Sequence, residues 1–429
     1  MRKLLQIWKA KDLRKNILYV LGLLIVFRLA AHIPIPGVDV VALKQFFANN
    51  QVLGLLNIFS GGAMQNFSLV MLGVGPYITA SIILQLLTMI IPKLEELSKE
   101  GESGQRKINQ WTRYLTVPLA ALQGYSMIVL LQRSSGGVPI LGDMNSFRLV
   151  TTIITITAGT VFLMWLGELI SEKKVGNGIS LIIFAGIVSS IPTQVQQILF
   201  KIFNLNDSEI IMNSIIFIAI AIVTTAVVVF INEAQRNIPV SYAKRIRGMK
   251  MYGGVDTHLP LRVNQAGMIP IIFAISIITF PPLIAKFFTY AKSGFIVSAA
   301  QYIIDLFQNQ LFYGIFYFIL VFGFTYFYTE IIFHPQQIAE NLQKHGGFVP
   351  GIRPGPNTAQ YLGNVSHRIV FAGALFLASV AVLPVVLQQF TGDQNLTLSG
   401  ASLLIVVSVV IETTKQIESQ LTMREYEGL

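Results

Sequence analysis

The sequence predicts an all-α, polytopic membrane protein. Three observations carry this prediction: composition, the lengths of the apolar segments and the distribution of charge. Of the 429 residues, 53% are apolar and 12% are charged, whereas an average soluble domain has about 25% charged residues. The stretches between apolar runs are too short to form a soluble domain of ordinary size. We therefore expect the chain to be solvated mainly by lipid.

Ten segments have the composition of a transmembrane helix, which needs about 20 predominantly apolar residues. The first follows a basic N-terminus and has no small-residue cleavage site, so we interpret it as a membrane helix and not as a signal peptide. The second contains Gly75 and Pro76 and follows a short glycine-rich stretch, so it is irregular. The ten segments are 17–35, 68–91, 114–132, 149–170, 179–200, 210–231, 265–288, 311–332, 367–387 and 397–414.

The positive charges predict the orientation of these helices. An even number of crossings places both termini on one side, and most of the 31 lysines and arginines lie in the termini and loops of that side. Because cytoplasmic loops collect Lys and Arg, residues 1–16 and 415–429 are predicted to be cytoplasmic. This bias accounts for the net charge of +10 without a nucleic-acid partner.

The longest connection, 232–262, divides the helices into two groups of five. The N-terminal half covers 17–200 and the C-terminal half covers 201–414. Two consecutive five-helix halves must cross the membrane in opposite directions. That arrangement predicts an inverted repeat with its axis in the membrane plane.

Six stretches, in this order along the chain, resemble the SecY family: 28–37, 75–82 (GPYITASI), 100–107, 176–180 (GNGIS), 259–270 and 351–355 (GIRPG). The resemblance runs from the first predicted helix to the last. It implies a protein-conducting channel of the bacterial cytoplasmic membrane, which passes unfolded preproteins across and releases transmembrane segments sideways into the membrane lipids. It implies no enzymatic activity and no cofactor. The implied partners are the small membrane subunits SecE and SecG, the ATPase SecA, the ribosome and signal peptides.

The resemblance also implies an apolar ring at the waist of the channel. A narrow apolar ring excludes water and ions, and β-branched side chains have few rotamers and so hold a defined aperture. From spacing alone, such residues more often face lipid or pack between helices in the ordinary way, and it is the resemblance that favours a ring. The ring positions carried over by motif are Val74, Ile78, Ile179, Ile183, Ile272 and Ile405.

Residues 57–66 are expected to form a short re-entrant half-helix, the plug, that seals the pore beneath the ring. Gly61 and Gly62 each lower helix propensity by about 1 kcal/mol, which suits an element that has to leave its place. The alternative is a loop that merely re-enters the interface. The plug residues by motif are Asn57, Ile58, Phe59, Ser60, Gly61, Gly62, Ala63 and Met64.

A lateral gate is implied where prolines are expected to interrupt two helices, at Gly75-Pro76 and at Pro281-Pro282. Gln85 and Asn177 are predicted to form part of a polar cluster across this gate. Such a pair would hold the gate closed by roughly 0.5–2 kcal/mol. Interhelical hydrogen bonds without a gating role remain the alternative.

Two cytoplasmic loops are candidate partner surfaces. In loop 232–262, residues 244–259 predict a β-hairpin turning at Gly253-Gly254. Loop 333–366 has a tip rich in glycine and proline, with Arg353 at its apex. The resemblance assigns Arg245, Arg247 and Arg353 to contact with SecA or the ribosome. Positive-inside charge without any partner is the alternative for each.

A secondary transporter of small solutes is the rival function, because inverted repeats and broken helices are typical of that class too. Ion coupling usually needs ionisable residues at mid-membrane. Here Arg28 is the clearly embedded charge, and Glu168 and Glu233 lie near helix ends. An enzyme is disfavoured because the chain lacks H-E-x-x-H, G-x-S-x-G and P-loop motifs. With no cysteine, thiolate metal sites and a cysteine nucleophile are excluded, and no metal site is predicted.

Overall fold

The computed structural model describes residues 10–48, 57, 60–133, 145–193, 195–196, 200, 208–242, 245–247, 250–252, 256–289, 293–391 and 394–427. Within these ranges the chain is mainly helical, with five short strands. The helices are α1 (Lys11–Ala31), α2 (Val40–Ala48), α3 (Gly75–Ile90), α4 (Pro92–Lys99), α5 (Glu102–Arg133), α6 (Ser146–Glu172), α7 (Gly178–Val188), α8 (Ser208–Glu233), α9 (Ile269–Phe288), α10 (Gly294–Gln308), α11 (Gln310–Ile332), α12 (Pro335–Lys344), α13 (Pro356–Thr391) and α14 (Gln394–Glu427). The strands are β1 (Gln235–Tyr242), β2 (Arg245–Arg247), β3 (Lys250–Tyr252), β4 (Asp256–Arg262) and β5 (Gly347–Phe348).

Each of the ten predicted segments contains a helix, which agrees with a polytopic membrane fold. Of the described helices, four are individually long and apolar enough to cross a membrane: α5, α6, α11 and α13. A fifth span is the pair α3 and α4, which are bent by 103° at their junction. α2, α4, α10 and α12 lie outside the predicted segments.

α7 ends at Val188, and a turn at Ser189 and Ser190 separates it from further helical residues at 191–193, 195–196 and 200. The predicted segment 179–200 is therefore interrupted at this turn. The hydroxyls of Ser189 and Ser190 donate to the carbonyls of Gly186 and Ile187 at 2.7 and 2.8 Å, and Pro192 follows. Such local hydrogen bonds compete with the helical pattern, and proline cannot donate to it. A short apolar helix of this kind is stable at membrane depth where protein surrounds it.

The two predicted proline interruptions are wrong in their details. Gly75-Pro76 begins α3 instead of breaking a helix. Pro76 lies in the first turn, where a backbone N–H would have no partner within the helix, so the absence of this group from proline costs no hydrogen bond. α9 continues through Pro281 and Pro282. The predicted segment 68–91 is therefore helical only from residue 75 onwards, and residues 69–74 form turns.

α6 and α7 approach each other closely at two glycines. A Cβ added to Gly178 would lie 1.8 Å from the carbonyl oxygen of Gly167. Ser171 strengthens this contact, since its hydroxyl donates to the Gly167 carbonyl and accepts from the Gly178 N–H, both at 2.9 Å. Any side chain at position 178 would force the two helices apart.

We expect Gly178→Ala to lower the free energy of unfolding by about 1–3 kcal/mol, the usual cost of overpacking. Gly22→Ala is the matched control, because no atom of the described residues outside its own stretch of helix lies within 4 Å of its added Cβ. Alanine in the helical position 22 should be neutral or slightly stabilising. The thermal midpoints of the two purified variants test this, and equal midpoints would contradict the close packing of α6 on α7.

A three-stranded antiparallel sheet of order β4-β1-β5 joins the two predicted partner loops. β1 pairs with β4 in the register Pro239↔His258, and with β5 through Ser241↔Phe348 and Tyr242↔Gly347. A small hydrophobic core lies against this sheet: Ile238, Leu261, Val349, Leu362, Val365 and Ile369. Loops 232–262 and 333–366 therefore form one unit.

The predicted hairpin at 244–259 has a different pairing from the one expected. β2 pairs with β3 antiparallel through Arg245↔Tyr252 and Arg247↔Lys250, so the chain reverses between these two strands. Gly253 and Gly254 lie outside the described residues. β4 pairs with β1 because that register buries Ile238 and Val240. The buried face of β1 outweighs the local turn signal.

Ion pairs connect neighbouring helices at the two glutamates that sequence reasoning singled out. Arg113 of α5 lies 2.6 Å from Glu168 of α6, and Lys415 of α14 lies 2.8 Å from Glu233 of α8. Both glutamates lie near helix ends, as predicted, and both have a cationic partner. This arrangement suits structural ion pairs better than ion coupling at mid-membrane.

Candidate channel constriction and gate

All six predicted ring positions belong to one large hydrophobic cluster, which we call the ring cluster. Five of them are buried, with exposed fractions of at most 8%: Val74, Ile78, Ile183, Ile272 and Ile405. The sixth, Ile179, is partly buried and packs against the same cluster. These residues come from α3, α7, α9 and α14 and from the residue that precedes α3, so tertiary structure alone places them together.

Local structure fixes the direction of these side chains. Val74 precedes α3 as its N-cap and Ile78 lies one turn further, so both face the same side of the helix. In α7, the Asn177 side chain caps the helix by accepting from the N–H groups of Ile179 and Ser180 at 3.1 and 3.2 Å. A Cβ on Gly167 would lie 2.5 Å from Cδ1 of Ile179, so this ring position contacts α6 as well as the cluster.

The described part of the plug lies against the ring and is helical only at Asn57. Asn57, Ser60, Ala63 and Met64 are buried, and Ala63 belongs to the ring cluster. Ile58 and Phe59 lie outside the described residues. Residues 60–67 form successive turns, because Gly61 and Gly62 adopt positive φ angles of 67° and 79°, which end helical propagation.

Hydrogen bonds within the plug replace the missing helical pattern. The Gly62 N–H donates to the Asn57 carbonyl at 2.9 Å, and the Gln65 N–H donates to Oδ1 of Asn57 at 3.0 Å. The Ser60 hydroxyl accepts from the Met64 N–H at 3.2 Å. The side chains of Asn57 and Ser60 thus stabilise the turns at residues 60–65.

The residues that follow the plug are anchored to the surrounding helices. Ser68 forms an isolated β-bridge with Pro34, and the Leu69 N–H donates to the Ile33 carbonyl at 3.1 Å. On the other side, a Cβ on Gly159 of α6 would lie 1.9 Å from the Leu69 carbonyl oxygen. Ser68 and Leu69, which we call the base of the plug, are therefore held in place by α6 and by the residues that follow α1.

The predicted amide pair of the lateral gate is not formed between the two described residues. Asn177 is engaged as the N-cap of α7, and the side-chain oxygen of Gln85 is buried and has no hydrogen-bond partner among the described residues. The capping role explains the difference, because Oδ1 of Asn177 already accepts two backbone hydrogen bonds. Gln85 retains an unsatisfied acceptor on α3.

An almost wholly apolar groove of about 740 Å³ lies between α3, α9 and α10. Sequence reasoning missed the α10 side of this groove. The sequence feature that could have predicted α10 is the recurrence of apolar residues at helical spacing after residue 294. The groove is lined by Thr79, Ile82, Ile83, Leu86, Ser276, Ile277, Pro281, Ile284, Ala285, Phe288, Phe295, Ile296, Ala299, Ala300 and Ile303.

Arg353 is exposed at the tip of loop 333–366, as predicted. Positive φ angles of 82° at Gly351 and 103° at Gly355 shape this tip, and the Thr358 hydroxyl donates to the Arg353 carbonyl at 3.0 Å. The backbones of Arg245 and Arg247 lie in β2, whereas their side chains are outside the described part of the chain. The hydrogen bond from Thr358 thus stabilises the backbone of the tip at Arg353.

The sequence profile of the SecY family matches residues 68–414. Protein translocase subunits SecY from Streptomyces galbus and Corynebacterium glutamicum are each 44% identical to the chain, over 98% and 100% of both sequences. The SecY subunit of Streptomyces griseus is 45% identical over 98% of both. A small-solute transporter is not supported by these relatives.

Two solved structures share the fold. One is a protein-conducting channel with a TM-score of 0.64 and 18% identity, and the other is Sec61 in the canine ribosome–channel complex from the endoplasmic reticulum, with a TM-score of 0.62 and 18% identity. Each match covers 94% of this chain and 91% of the other. The chain therefore belongs to the SecY family of protein translocation channels.

Proposed function

We propose that the ring cluster is the constriction of a channel that passes unfolded preproteins across the bacterial cytoplasmic membrane. The observation that carries this proposal is the convergence of six aliphatic positions on a single buried cluster, with the plug residue Ala63 packed among them. An apolar constriction resists water and ions. It offers a passing chain no polar group to bind, so chains of any sequence can slide through.

The groove between α3, α9 and α10 is proposed as the lateral gate. Its lining is almost wholly apolar over residues 79–86 of α3 and 276–288 of α9, which suits the apolar helix of a signal peptide or a transmembrane segment. Burial of one large apolar side chain contributes about 1.5–3 kcal/mol, so an apolar helix can supply the bias toward an open gate. Release into lipid would follow when α3 and α9 separate.

The sheet and the tip of loop 333–366 are proposed as the partner platform. Because β1 pairs with β5, Arg353 and the β2–β3 hairpin belong to one unit, which fits contact with SecA or with ribosomal RNA phosphates. The two termini would lie on this cytoplasmic side, with halves 17–200 and 201–414 in opposite orientations. SecE and SecG would complete the complex, and the partners would supply the energy.

Crosslinking to a stalled preprotein tests the constriction. Because the chain has no cysteine, Ile78→Cys and Ile183→Cys each introduce a single reactive thiol. We expect both to crosslink to a translocating chain that carries a thiol-reactive probe. The matched control is Ile154→Cys, whose side chain is 61% exposed on α6.

A crosslink from position 154 with none from 78 or 183 would overturn the assignment of the ring. Flux measurements with the same preparation distinguish the rival class. A translocation channel should move a presecretory protein, whereas a secondary transporter should move a small solute.

A further inference from the structure

Arg28 of α1 contacts the plug through its guanidinium group. Its Nη1 donates a hydrogen bond of 2.6 Å to the carbonyl oxygen of Gly61. The guanidinium carbon lies 5.8 Å from the ring centroid of Phe27, which is buried in the ring cluster. Arg28, the embedded cation that sequence reasoning singled out, thus binds the backbone of the plug at Gly61. We call Gly61 the tip of the plug.

Gly61 lies in a cradle that has no room for a side chain. An added Cβ would lie 2.6 Å from Cα of Gly186 and 3.2 Å from Cζ of Phe27. The φ angle of 67° at Gly61 also disfavours any residue with a Cβ. Gly186 lies about one helical turn beyond Ile183, so the tip touches the helix that carries two ring positions.

The two ends of the plug are held in different ways. Its base is fixed by the Pro34–Ser68 bridge and by the contact of Leu69 with Gly159. Its tip rests on Gly186 and accepts one charge-assisted hydrogen bond from Arg28. A hinge at the base with a reversible contact at the tip is the geometry of a latch.

We propose that Arg28 is the positioning residue that latches the plug in the closed channel, an inference that rests on the proposed channel function. Hydrogen bonds with an ionised donor are roughly twice as strong as neutral ones, so this single contact can bias the tip toward its closed place. Every translocating polypeptide presents backbone carbonyls. The guanidinium can therefore exchange the Gly61 carbonyl for a carbonyl of any passing chain, which makes release independent of sequence.

The test compares Arg28→Met, Arg28→Lys, Gly61→Ala and the double variant Arg28→Met/Gly61→Ala. Each full-length variant is purified with the subunits that accompany it and reconstituted in planar bilayers. Lys15→Met is the control, because it removes an exposed cation from the other end of the same helix. Loss of a hydrogen bond to a charged group shifts an equilibrium by about tenfold or more, so the ion leak of Arg28→Met should rise about tenfold. Arg28→Lys should recover part of the seal.

Gly61→Ala should produce a similar leak, because its methyl group displaces the same carbonyl. The double variant should leak no more than either single variant, since contacts within one interaction are not additive. A leak in Gly61→Ala but not in Arg28→Met would overturn the latch while leaving the plug intact. Additive leaks would also overturn it. If neither variant leaks although both are folded, the plug assignment itself is wrong and the latch falls with it.

Discussion

Ile405→Asn is expected to raise the ion leak of the closed channel about tenfold and to let preproteins with defective signal peptides cross. Ile405 is fully buried in the ring cluster, and an unpaired buried amide costs about 1–3 kcal/mol. A shift of about 1.4 kcal/mol moves the closed–open equilibrium tenfold. A channel already biased toward the open state needs less help from a signal peptide, which normally supplies that bias by binding the open gate better.

Single-channel current and export of a reporter with a defective signal peptide measure the two effects. Ile405→Val is the matched control, since it keeps an apolar β-branched side chain and should change neither readout appreciably. Phe59→Asn is predicted to act in the same way, although position 59 lies outside the described residues. If Ile405→Asn is folded and both readouts match the parent, the ring and plug have no sealing role.

Arg353→Glu is expected to abolish SecA-driven transport while leaving the fold intact. Arg353 is exposed at the tip of loop 333–366, and exposed substitutions of this kind usually change stability by within about 0.5 kcal/mol. A reversed charge at the centre of a contact would repel an acidic partner. Preprotein transport into vesicles at limiting SecA concentration is the measurement, with thermal unfolding as the check on folding.

Lys344→Glu provides the matched control, because it makes the same charge change on α12 of the same loop, away from the tip. Its cation lies 4.0 Å from Glu340 in an exposed pair, and such pairs contribute little. Transport should be nearly normal in this variant. Equal loss in both variants would indicate a general effect of loop charge, and normal transport by Arg353→Glu would remove Arg353 from the partner surface.

The joining of β1 to β5 changes how such loop variants should be interpreted. Sequence reasoning treated loops 232–262 and 333–366 as separate partner elements, because each has its own turn signals. Ser241 and Phe348 pair although they are far apart in the chain, so local sequence patterns cannot predict this contact. A change in one loop can therefore displace the other.

The sequence by itself determined that this protein is a helical membrane protein, and it located the ten helical segments. A helix that spans the bilayer needs a certain length and an apolar composition, so each span can be recognised from its own segment of sequence. The motifs also identified the family. Tertiary structure decided the convergence of Val74, Ile183, Ile272 and Ile405, the turn conformation of the plug and the capping role of Asn177. It also decided that Arg28 reaches Gly61, because a hydrogen bond between side chain and backbone depends on how α1 packs against α7 and the plug, and no periodicity encodes that packing.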